Sequence, residues 1–270
     1  MCSPYLMAAV KARMMSRRDL FKVGGGAALA AATVAAAPAR AQAGFSQVID
    51  LTHVFTPDFP TYDGDAGIAA ETVFNLAEHG FNLDLIRVNE HAGTHIDAPL
   101  HFSDGASIDE VPVGDLVVPL AVIDIREKAA ASADAELTPD DLAAWIAAHG
   151  PIPDRACVAV LSGWEDHLGS DRFRGLRDDG LMHFPGVHLE ATQMLLEETT
   201  ALGLGIDTLS IDYGPSQSFD THYAWLPAGK WALENMANLA LLPPVGATLV
   251  VGAPKHKGGT GGPARLIALV

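Results

Sequence analysis

The chain has 270 residues, 49% of them hydrophobic, with 33 acidic and 17 basic side chains and a formal net charge of −16. This composition excludes a disordered chain, and the negative charge argues against nucleic acid or an anionic membrane as partner because both need a basic surface. Eleven histidines against two cysteines point towards metal or acid–base chemistry.

Residues 1–43 have the layout of a secretory signal peptide. The pair Arg17-Arg18 precedes an uncharged run rich in alanine and glycine over residues 23–37, and residues 41–43 (Ala-Gln-Ala) supply a small-x-small cleavage site. The arginine pair predicts export by the twin-arginine route, and therefore a periplasmic protein with its folded domain over residues 44–270.

Two alternatives to a cleaved signal are an N-terminal anchor and a chance arginine pair. The segment resembles the twin-arginine consensus, although Leu20 and Phe21 stand in the reverse of the usual order. The apolar run is also short, because a membrane span needs about 20 residues. Met14 and Met15 are plausible starts besides Met1, since thirteen residues before the basic region of a signal are unusual.

Removal of this segment changes the charge and the cysteine count. It holds six basic residues and one acidic residue, so the mature chain from Gly44 would carry a net charge of −21. Cys157 would then be the lone cysteine, which excludes an intrachain disulfide in an oxidising compartment. Its apolar neighbours predict a buried, inert thiol.

The mature chain is predicted to alternate short strands with two helices. One helix begins after Thr138 as N-cap and stops at Gly150, and the other covers residues 188–202 and ends at Gly203. The strands, in chain order, are residues 48–51, 72–76, 83–88, 120–125, 158–161, 208–211, 248–251 and 266–270. Strand, helix and strand over residues 158–211 predict a βαβ unit, and the whole pattern predicts one mixed α/β domain.

The segment HAGTHIDAPLHF, residues 91–102, carries the strongest chemical signal. Its glycine and proline residues disfavour a helix, so extended backbone is expected. Alternate side chains of an extended chain share a face, which would direct His91, His95 and Asp97 to one side with Gly93 leaving space between the imidazoles. Two imidazoles and a carboxylate suit a borderline divalent cation.

This segment is similar to the HxGTHxDxPxHF signature of the cyclase family of metal-dependent hydrolases, whose members include kynurenine formamidases and isatin hydrolases. The resemblance extends along most of the mature chain, through residues 50–53, 161–164, 184–186, 205–212 and 258–265. It implies an α/β fold of the swivelling β/β/α type with a single mixed sheet. It also implies a homo-oligomer, either a homodimer or a homotetramer.

The family's site can be transferred residue by residue. The resemblance implies a proton-transfer role for His101 and five metal ligands, namely His91, His95, Asp97, His222 and Glu234. From the residues alone, His222 could equally be a surface histidine, and Glu234 could be a charge at a helix start. Proline and glycine between these two predict that they lie on different elements and meet only in the fold.

The residue types predict one or two Zn or Mn ions, because the site is rich in nitrogen and oxygen and has no thiolate. Six side chains are candidate walls of a substrate cavity, although each could equally belong to the core: His53, Phe55, Phe59, Tyr62, Phe102 and Trp225. The glycine-rich residues 258–262 lack the lysine and helix of a phosphate-binding loop.

The predicted reaction is attack of a metal-activated hydroxide on an amide carbonyl, with His101 passing the proton to the leaving nitrogen. The expected substrate is a small cyclic amide such as an isatin-like lactam, or an acyl amide. The alternatives are an arylformamidase and an exported metal- or ligand-binding protein without turnover. No nucleic acid partner and no membrane span after cleavage are expected.

Overall fold

The computed structural model describes residues 44–270, so the predicted signal segment, residues 1–43, lies outside the described residues. The contacts between the described residues divide them into two units. We call the larger unit, Phe45–Ile68 and Val88–Val270, the body. The smaller unit contains Ala69–Arg87, which we call the ribbon. Within residues 44–270, no helix combines the length and the apolar character that a membrane span requires.

Thirteen strands and six α-helices make up the described chain. The strands are β1 (Val48–Asp50), β2 (Ile68–Phe74), β3 (Leu83–Val88), β4 (His95–Asp97), β5 (Val117–Asp124), β6 (Glu136–Leu137), β7 (Cys157–Leu161), β8 (Gly186–Val187), β9 (Gly203–Ile206), β10 (Trp231–Glu234), β11 (Ala247–Gly252), β12 (Gly261–Pro263) and β13 (Arg265–Leu269). The helices are α1 (Leu76–His79), α2 (Arg126–Ala131), α3 (Pro139–His149), α4 (Asp171–Arg174), α5 (Leu189–Glu198) and α6 (Asp220–Trp225).

Nine strands form one mixed sheet in the order β1-β13-β11-β5-β7-β9-β10-β4-β12. The central strands β5, β7, β9 and β10 run parallel, and the flanking strands pair antiparallel. β7 and β9 are parallel neighbours joined through α4 and α5, so the chain forms a βαβ unit here, with β9 as its second strand and not the predicted residues 208–211. The predicted α/β class with a mixed sheet is confirmed.

The central strands are buried on both faces, so their side chains alternate between two apolar cores. On β5, Leu120 and Val122 lie in one core, and Ala121 and Ile123 lie in the other. Side chains of α3 and α5 pack into the second core. The helices therefore cover one face of the sheet.

The ribbon consists of β2 and β3, which form a two-stranded sheet of their own, joined by α1. Every residue of β3 is exposed. Its apolar side chains are unusually accessible, with Leu85 at 62% and Ile86 at 60%. A two-stranded ribbon with exposed apolar side chains gains little stability from its own packing.

Helix α3 confirms its prediction at both ends. Thr138 is the N-cap, and its backbone N–H and its hydroxyl donate to Asp141 Oδ2 at 2.8 Å and 2.6 Å. Gly150 ends the helix at φ 90°, in the region that glycine adopts without strain. The capping signals in the sequence are therefore the ones that the fold uses.

The predictions for residues 188–211 are wrong in their boundaries. Helix α5 ends at Glu198, four residues early, because the hydroxyl of Thr199 donates back to Leu195 O at 2.6 Å and Thr199 is extended. Gly203 begins strand β9 instead of ending the helix, and a Cβ there would lie 2.1 Å from the ring of Trp231. The predicted strand 208–211 is absent from the described chain, because the backbone bends after β9.

The extended conformation predicted for residues 91–102 is also only partly correct. Three residues form β4, while Pro99–His101 is a 3-10 helix. Gly93 adopts φ 67°, and a Cβ there would lie 2.9 Å from Phe55. The glycine therefore makes room for Phe55, and it does not separate the two imidazoles as the alternation had suggested. In the ribbon, β2 begins four residues before the predicted strand because residues 68–71 also pair.

Candidate metal centre

The register of two antiparallel strands brings an imidazole and a carboxylate together. In the pairing of β4 with β10, His95 stands opposite Glu234. His95 Nε2 lies 3.3 Å from Glu234 Oε2 and 3.4 Å from Asp97 Oδ1. All three side chains are buried, so the sheet holds them in fixed positions.

Two further histidines come from either end of β4. His91, in the turn before the strand, places Nδ1 at 2.6 Å from Asp97 Oδ1. His101, at the end of the 3-10 helix, stacks its ring on His91 with a centroid distance of 3.6 Å and an interplanar angle of 14°. The imidazoles of His91 and His101 thus reach the same space although neither residue belongs to the strand.

Helix α6 supplies His222. Its N–H and that of Thr221 donate to the carboxylate of Asp212 at 3.1 Å and 2.9 Å. His222 Nε2 then lies 3.2 Å from Glu234 Oε1 and 3.5 Å from Asp97 Oδ2. His222 and Glu234 therefore lie on different elements and meet in the fold, as the residues between them predicted.

The hydrogen bonds behind two imidazoles fix which nitrogen faces the centre. His95 Nδ1 donates to Gly93 O at 2.9 Å, and His222 Nδ1 donates to Asp212 Oδ2 at 2.6 Å. In the neutral form that a bound cation requires, each imidazole has one N–H, so both Nε2 atoms would present a lone pair to the space beside Asp97 and Glu234. This is the arrangement by which metal-binding histidines are usually held.

Two buried atoms at this point have no hydrogen-bond partner among the described residues, namely His95 Nε2 and Asp97 Oδ2. Leaving such groups unpaired is costly. Ligand atoms about 2.1 Å from a tetrahedral ion lie roughly 3.4 Å apart, which matches the 3.2–3.5 Å separations around His95 and His222. The donor set therefore fits a divalent cation.

Two overlapping groups of side chains have ligand atoms close enough to share an ion. One is His91, Asp97 and His101, and the other is His95, Asp97 and Glu234, with ligand atoms within 4.8 Å of one another in each group. Asp97 belongs to both. Asp97 is therefore the carboxylate on which binding of an ion by either group would depend.

Charge and burial act in opposite directions on these histidines. Burial lowers the pKa of His95, but the carboxylates of Asp97 and Glu234, 3.4 Å and 3.3 Å from Nε2, outweigh it and raise the pKa to about 10. The centre thus has a strong preference for positive charge. By contrast, burial lowers the pKa of His101 to about 4, so His101 is neutral near pH 7 and able to accept a proton.

A cavity of about 320 Å³ opens onto this centre. Its walls combine three aromatic rings with polar groups and the candidate ligands: Thr61, Tyr62, Asp63, Asn89, His91, His101, Phe102, Leu209, Ser210, Phe219, His222 and Glu234. Phe102 stacks on His222 at a centroid distance of 4.5 Å, and Phe219 lies 5.9 Å from Tyr62. The cavity is therefore aromatic on its walls and charged at its base.

Two of the six candidate wall residues, Tyr62 and Phe102, line this cavity. The other four lie elsewhere. His53 and Phe55 pack around Phe59 at 5.8 Å and 5.9 Å, and Trp225, the last residue of α6, is fully buried in the second core.

Seven residues at the site were not predicted from sequence: Thr61, Asp63, Asn89, Leu209, Ser210, Asp212 and Phe219. Asp212 stands in a stretch that resembles the family, but nothing in the sequence distinguished it from Asp207 as the partner of His222. Phe219 immediately precedes α6 and adopts φ 54°, a conformation unusual for a bulky residue. That conformation has no counterpart in the sequence pattern.

Comparison with known proteins agrees with this geometry. The family model described as putative cyclase matches residues 49–213. An isatin hydrolase of Roseibium aggregatum is 31% identical over 251 residues, which cover 86% of this chain and 95% of the relative. A kynurenine formamidase of Salinibacter ruber is 26% identical over 82% of this chain and 96% of its own length.

A solved structure gives the same result for the fold. Isatin hydrolase A from Labrenzia aggregata, bound to benzyl benzoate, superposes with a TM-score of 0.79 and 36% sequence identity. The match covers 83% of this chain and 93% of that one. Given the family model, the relatives and the shared fold, this chain belongs to the cyclase family.

Proposed function

We propose that this protein is a metal-dependent hydrolase that opens a small cyclic amide of the isatin type or cleaves an acyl amide. The observation that carries the proposal is the pair of unpartnered buried atoms, His95 Nε2 and Asp97 Oδ2, at the base of an aromatic cavity. The similarity to isatin hydrolases supports the lactam. The similarity to a kynurenine formamidase supports an arylformamide as the second candidate.

Five side chains would hold the metal: His91, His95, Asp97, His222 and Glu234. A bound divalent ion polarises a carbonyl and makes a water molecule acidic near neutral pH. Asp212 holds the ring of His222 through Nδ1, and Gly93 O holds that of His95. These bonds keep the imidazoles oriented in both the presence and the absence of substrate.

His101 is the residue that we assign to proton transfer. Its ring lines the cavity, is stacked on His91 and is neutral near pH 7 because burial lowers its pKa to about 4. A neutral imidazole can accept the proton that a nucleophilic water loses and return it to the leaving nitrogen. Its stacking on His91 keeps its ring at the wall of the cavity.

The cavity favours a small aromatic substrate. Its volume of about 320 Å³ lies at the lower end of the range for small-molecule sites. Tyr62, Phe102 and Phe219 would pack against a planar ring, and the polar side chains of Asn89 and Ser210 would be available to its amide.

Metal analysis combined with two assays tests this function. We expect the purified protein to contain Zn or Mn at one or two ions per chain and to hydrolyse isatin or N-formylkynurenine. Metal without hydrolysis of either substrate would favour the binding protein instead. Absence of metal after incubation with either ion would contradict the hydrolase and the metal-binding protein alike.

We further propose export to the periplasm by the twin-arginine route, which rests on Arg17-Arg18 and the apolar run that follows them. Fractionation of cells that express the chain, with Arg17→Lys/Arg18→Lys as comparison, tests it. Retention of the parental chain in the cytoplasm would contradict this assignment.

A homodimer or homotetramer is the expected assembly. The exposed apolar side chains of the ribbon, Leu85 and Ile86 among them, support it, because large exposed apolar patches usually mark interfaces. Light scattering on the parent and on a Leu85→Glu/Ile86→Glu variant measures the assembly. A monomeric parent would contradict it.

A further inference from the structure

The glycine-rich loop at residues 258–262 has no part in the reaction proposed above, yet it touches a candidate ligand. The hydroxyl of Thr260 lies 2.8 Å from His91 Nε2. The loop leads directly into β12, which pairs with β4 and places Gly261 opposite Asp97. Thr260 therefore sits behind His91, on the side away from the proposed metal.

Backbone hydrogen bonds fix the position of this loop. Ala98 N–H donates to Thr260 O at 2.9 Å, and Ile108 N–H donates to Gly259 O at the same distance. Gly258 N–H donates to Asp109 Oδ1 at 2.8 Å. With its backbone held by three bonds, Thr260 presents its hydroxyl to His91 in a defined geometry.

The glycines on either side of Thr260 permit its close approach. A Cβ on Gly259 would lie 2.1 Å from His256 Nε2 and 2.7 Å from Glu90 Oε1. A Cβ on Gly261 would lie 2.8 Å from His91 Cε1. Larger residues at these positions would push the loop away from His91 and Glu90.

The direction of the hydrogen bonds follows from the chemistry of the groups. Thr260 Oγ1 donates its one hydrogen to Glu90 Oε2, at 2.6 Å, because a carboxylate can only accept. Towards His91 the same oxygen must then accept, so the proton of His91 is on Nε2. Glu90 is held in turn by His256, whose Nε2 lies 2.5 Å from Glu90 Oε1.

The consequence appears on the opposite side of the ring. In the tautomer with its proton on Nε2, His91 directs the lone pair of Nδ1 at Asp97 Oδ1, 2.6 Å away. A lone pair and a carboxylate oxygen repel each other at this distance unless a cation lies beside them. The other tautomer would place a proton on Nδ1 and form a hydrogen bond to Asp97, which would occupy both atoms.

We infer that Glu90 and Thr260 are positioning residues that fix the tautomer of His91 so that Nδ1 is free to bind the metal. This inference rests on the proposed function for its metal, but the tautomer itself is a property of the metal-free chain. It distinguishes His91 from His95 and His222, which present Nε2 and are held by Gly93 O and Asp212. The glycine-rich loop then serves the metal centre indirectly, through the ring of His91.

Three variants test the inference by metal affinity. Thr260→Val keeps the shape and removes the hydroxyl, whereas Thr260→Ser restores it. Thr199→Val is the matched control, because Thr199 is also half-buried and its hydroxyl both donates and accepts. By calorimetry with Zn²⁺ in competition with a chelator, we expect Thr260→Val to bind about 10–100-fold more weakly, and the other two variants to bind as the parent does.

The tautomer is measured separately by ¹⁵N NMR of the metal-free protein labelled at histidine, with His91 assigned from a His91→Asn variant. Because Asp97 favours the other tautomer when no cation is bound, we expect a larger fraction of the Nε2–H form in the parent and in Thr260→Ser than in Thr260→Val. An unchanged tautomer in Thr260→Val, or parental Zn²⁺ affinity in that variant, would overturn the inference. A parent that binds no Zn²⁺ or Mn²⁺ would overturn the proposed function, while the NMR comparison would still decide this one.

Discussion

Two neighbouring parallel strands, β9 and β10, lead to buried acids, and the protein satisfies the acid at the end of β9 more completely than those around the end of β10. Asp207 follows β9 and accepts backbone N–H groups from Ser162, Gly163 and Trp164 at 2.7–3.2 Å, as well as the Ser162 hydroxyl. Glu234 ends β10 beside Asp97, whose Oδ2 has no hydrogen-bond partner among the described residues. Both strand ends lie at one edge of the sheet, where α/β proteins place their sites.

The difference distinguishes an acid that supports the fold from acids that are available to a ligand. The protein itself satisfies Asp207, and this acid holds the loop after β7 in place. At the metal centre the acids and imidazoles approach to 3.2–3.5 Å without complete hydrogen bonding, which leaves them ready for a cation. Burial alone does not identify a functional carboxylate, and Asp97 differs from Asp207 because its buried Oδ2 lacks a partner at the point where several imidazoles converge.

Asp97→Asn is expected to have the largest effect on activity. It keeps the size of the side chain but removes the charge shared by the two candidate groups of ligands. We expect kcat/KM to fall by at least about 10³, which is about 4 kcal/mol, with loss of metal. Metal content and hydrolysis of isatin or N-formylkynurenine are measured together, with the exposed Asp124→Asn as control. Full metal content in Asp97→Asn would contradict the assignment of Asp97, in contrast to Asp207, as a metal ligand.

His101→Ala should separate metal binding from turnover. The residue lines the cavity, and Asp97 retains its other neighbours when the imidazole is removed. We expect metal content to stay at the parental level while kcat falls about 10²–10⁴-fold, the usual contribution of a general acid–base group. His149→Ala, at an exposed histidine, is the control. Hydrolysis at the parental rate would remove His101 from the mechanism.

Asp207→Ala should lower stability and leave the metal in place. It removes the acceptor of three buried backbone N–H groups, so we expect the free energy of unfolding to fall by about 3 kcal/mol or more. Urea denaturation of the parent and the variant measures this difference in stability. Metal analysis on the same samples tests whether the variant keeps its metal. Loss of metal with unchanged stability would mean that the roles of Asp207 and Asp97 are reversed.

The difference in unfolding free energy between the parent and Asp207→Ala should also depend on pH. Burial raises the pKa of Asp207 to about 6, above the value of about 4 in an unfolded chain. Between these values the folded protein binds more protons, so the contribution of Asp207 to stability rises as the pH falls from 7 to 4. The difference in unfolding free energy between parent and Asp207→Ala should therefore be larger at pH 4.5 than at pH 7.5. A smaller difference at pH 4.5 would contradict the raised pKa.

The sequence predicted the residues of the metal centre better than their backbone. The spacing of His91, His95 and Asp97 suggested a shared face of one strand, and the three side chains do converge. Their convergence depends, however, on a turn before β4 and on the opposing strand β10, which supplies Glu234. Local alternation cannot predict such pairing, because it is set by contacts between distant residues.

The roles of Asp207 and Asp212 could not be predicted for the same reason, because they also depend on contacts with residues elsewhere in the chain. Asp207 and Asp212 were two acids in one stretch with no sign of which would support a loop and which would orient His222. The distinction arises from their partners, 45 and 10 residues away along the chain. By contrast, the capping of α3 by Thr138 is local, and the sequence predicted it correctly.

Ser162→Ala should have the smallest effect and tests how completely Asp207 is satisfied. The Ser162 hydroxyl donates to Asp207 Oδ1 at 2.5 Å, but the backbone N–H groups of Ser162, Gly163 and Trp164 reach the same carboxylate. Because these donors remain, we expect a loss of only about 1 kcal/mol in the free energy of unfolding, with metal content and kcat unchanged. A loss as large as that of Asp207→Ala would mean that the hydroxyl, and not the backbone, holds the acid. Urea denaturation of Ser162→Ala and Asp207→Ala distinguishes these two outcomes. At Asp207, three backbone N–H groups remain when the hydroxyl is lost, whereas Asp97 Oδ2 has no hydrogen-bond partner among the described residues that could remain.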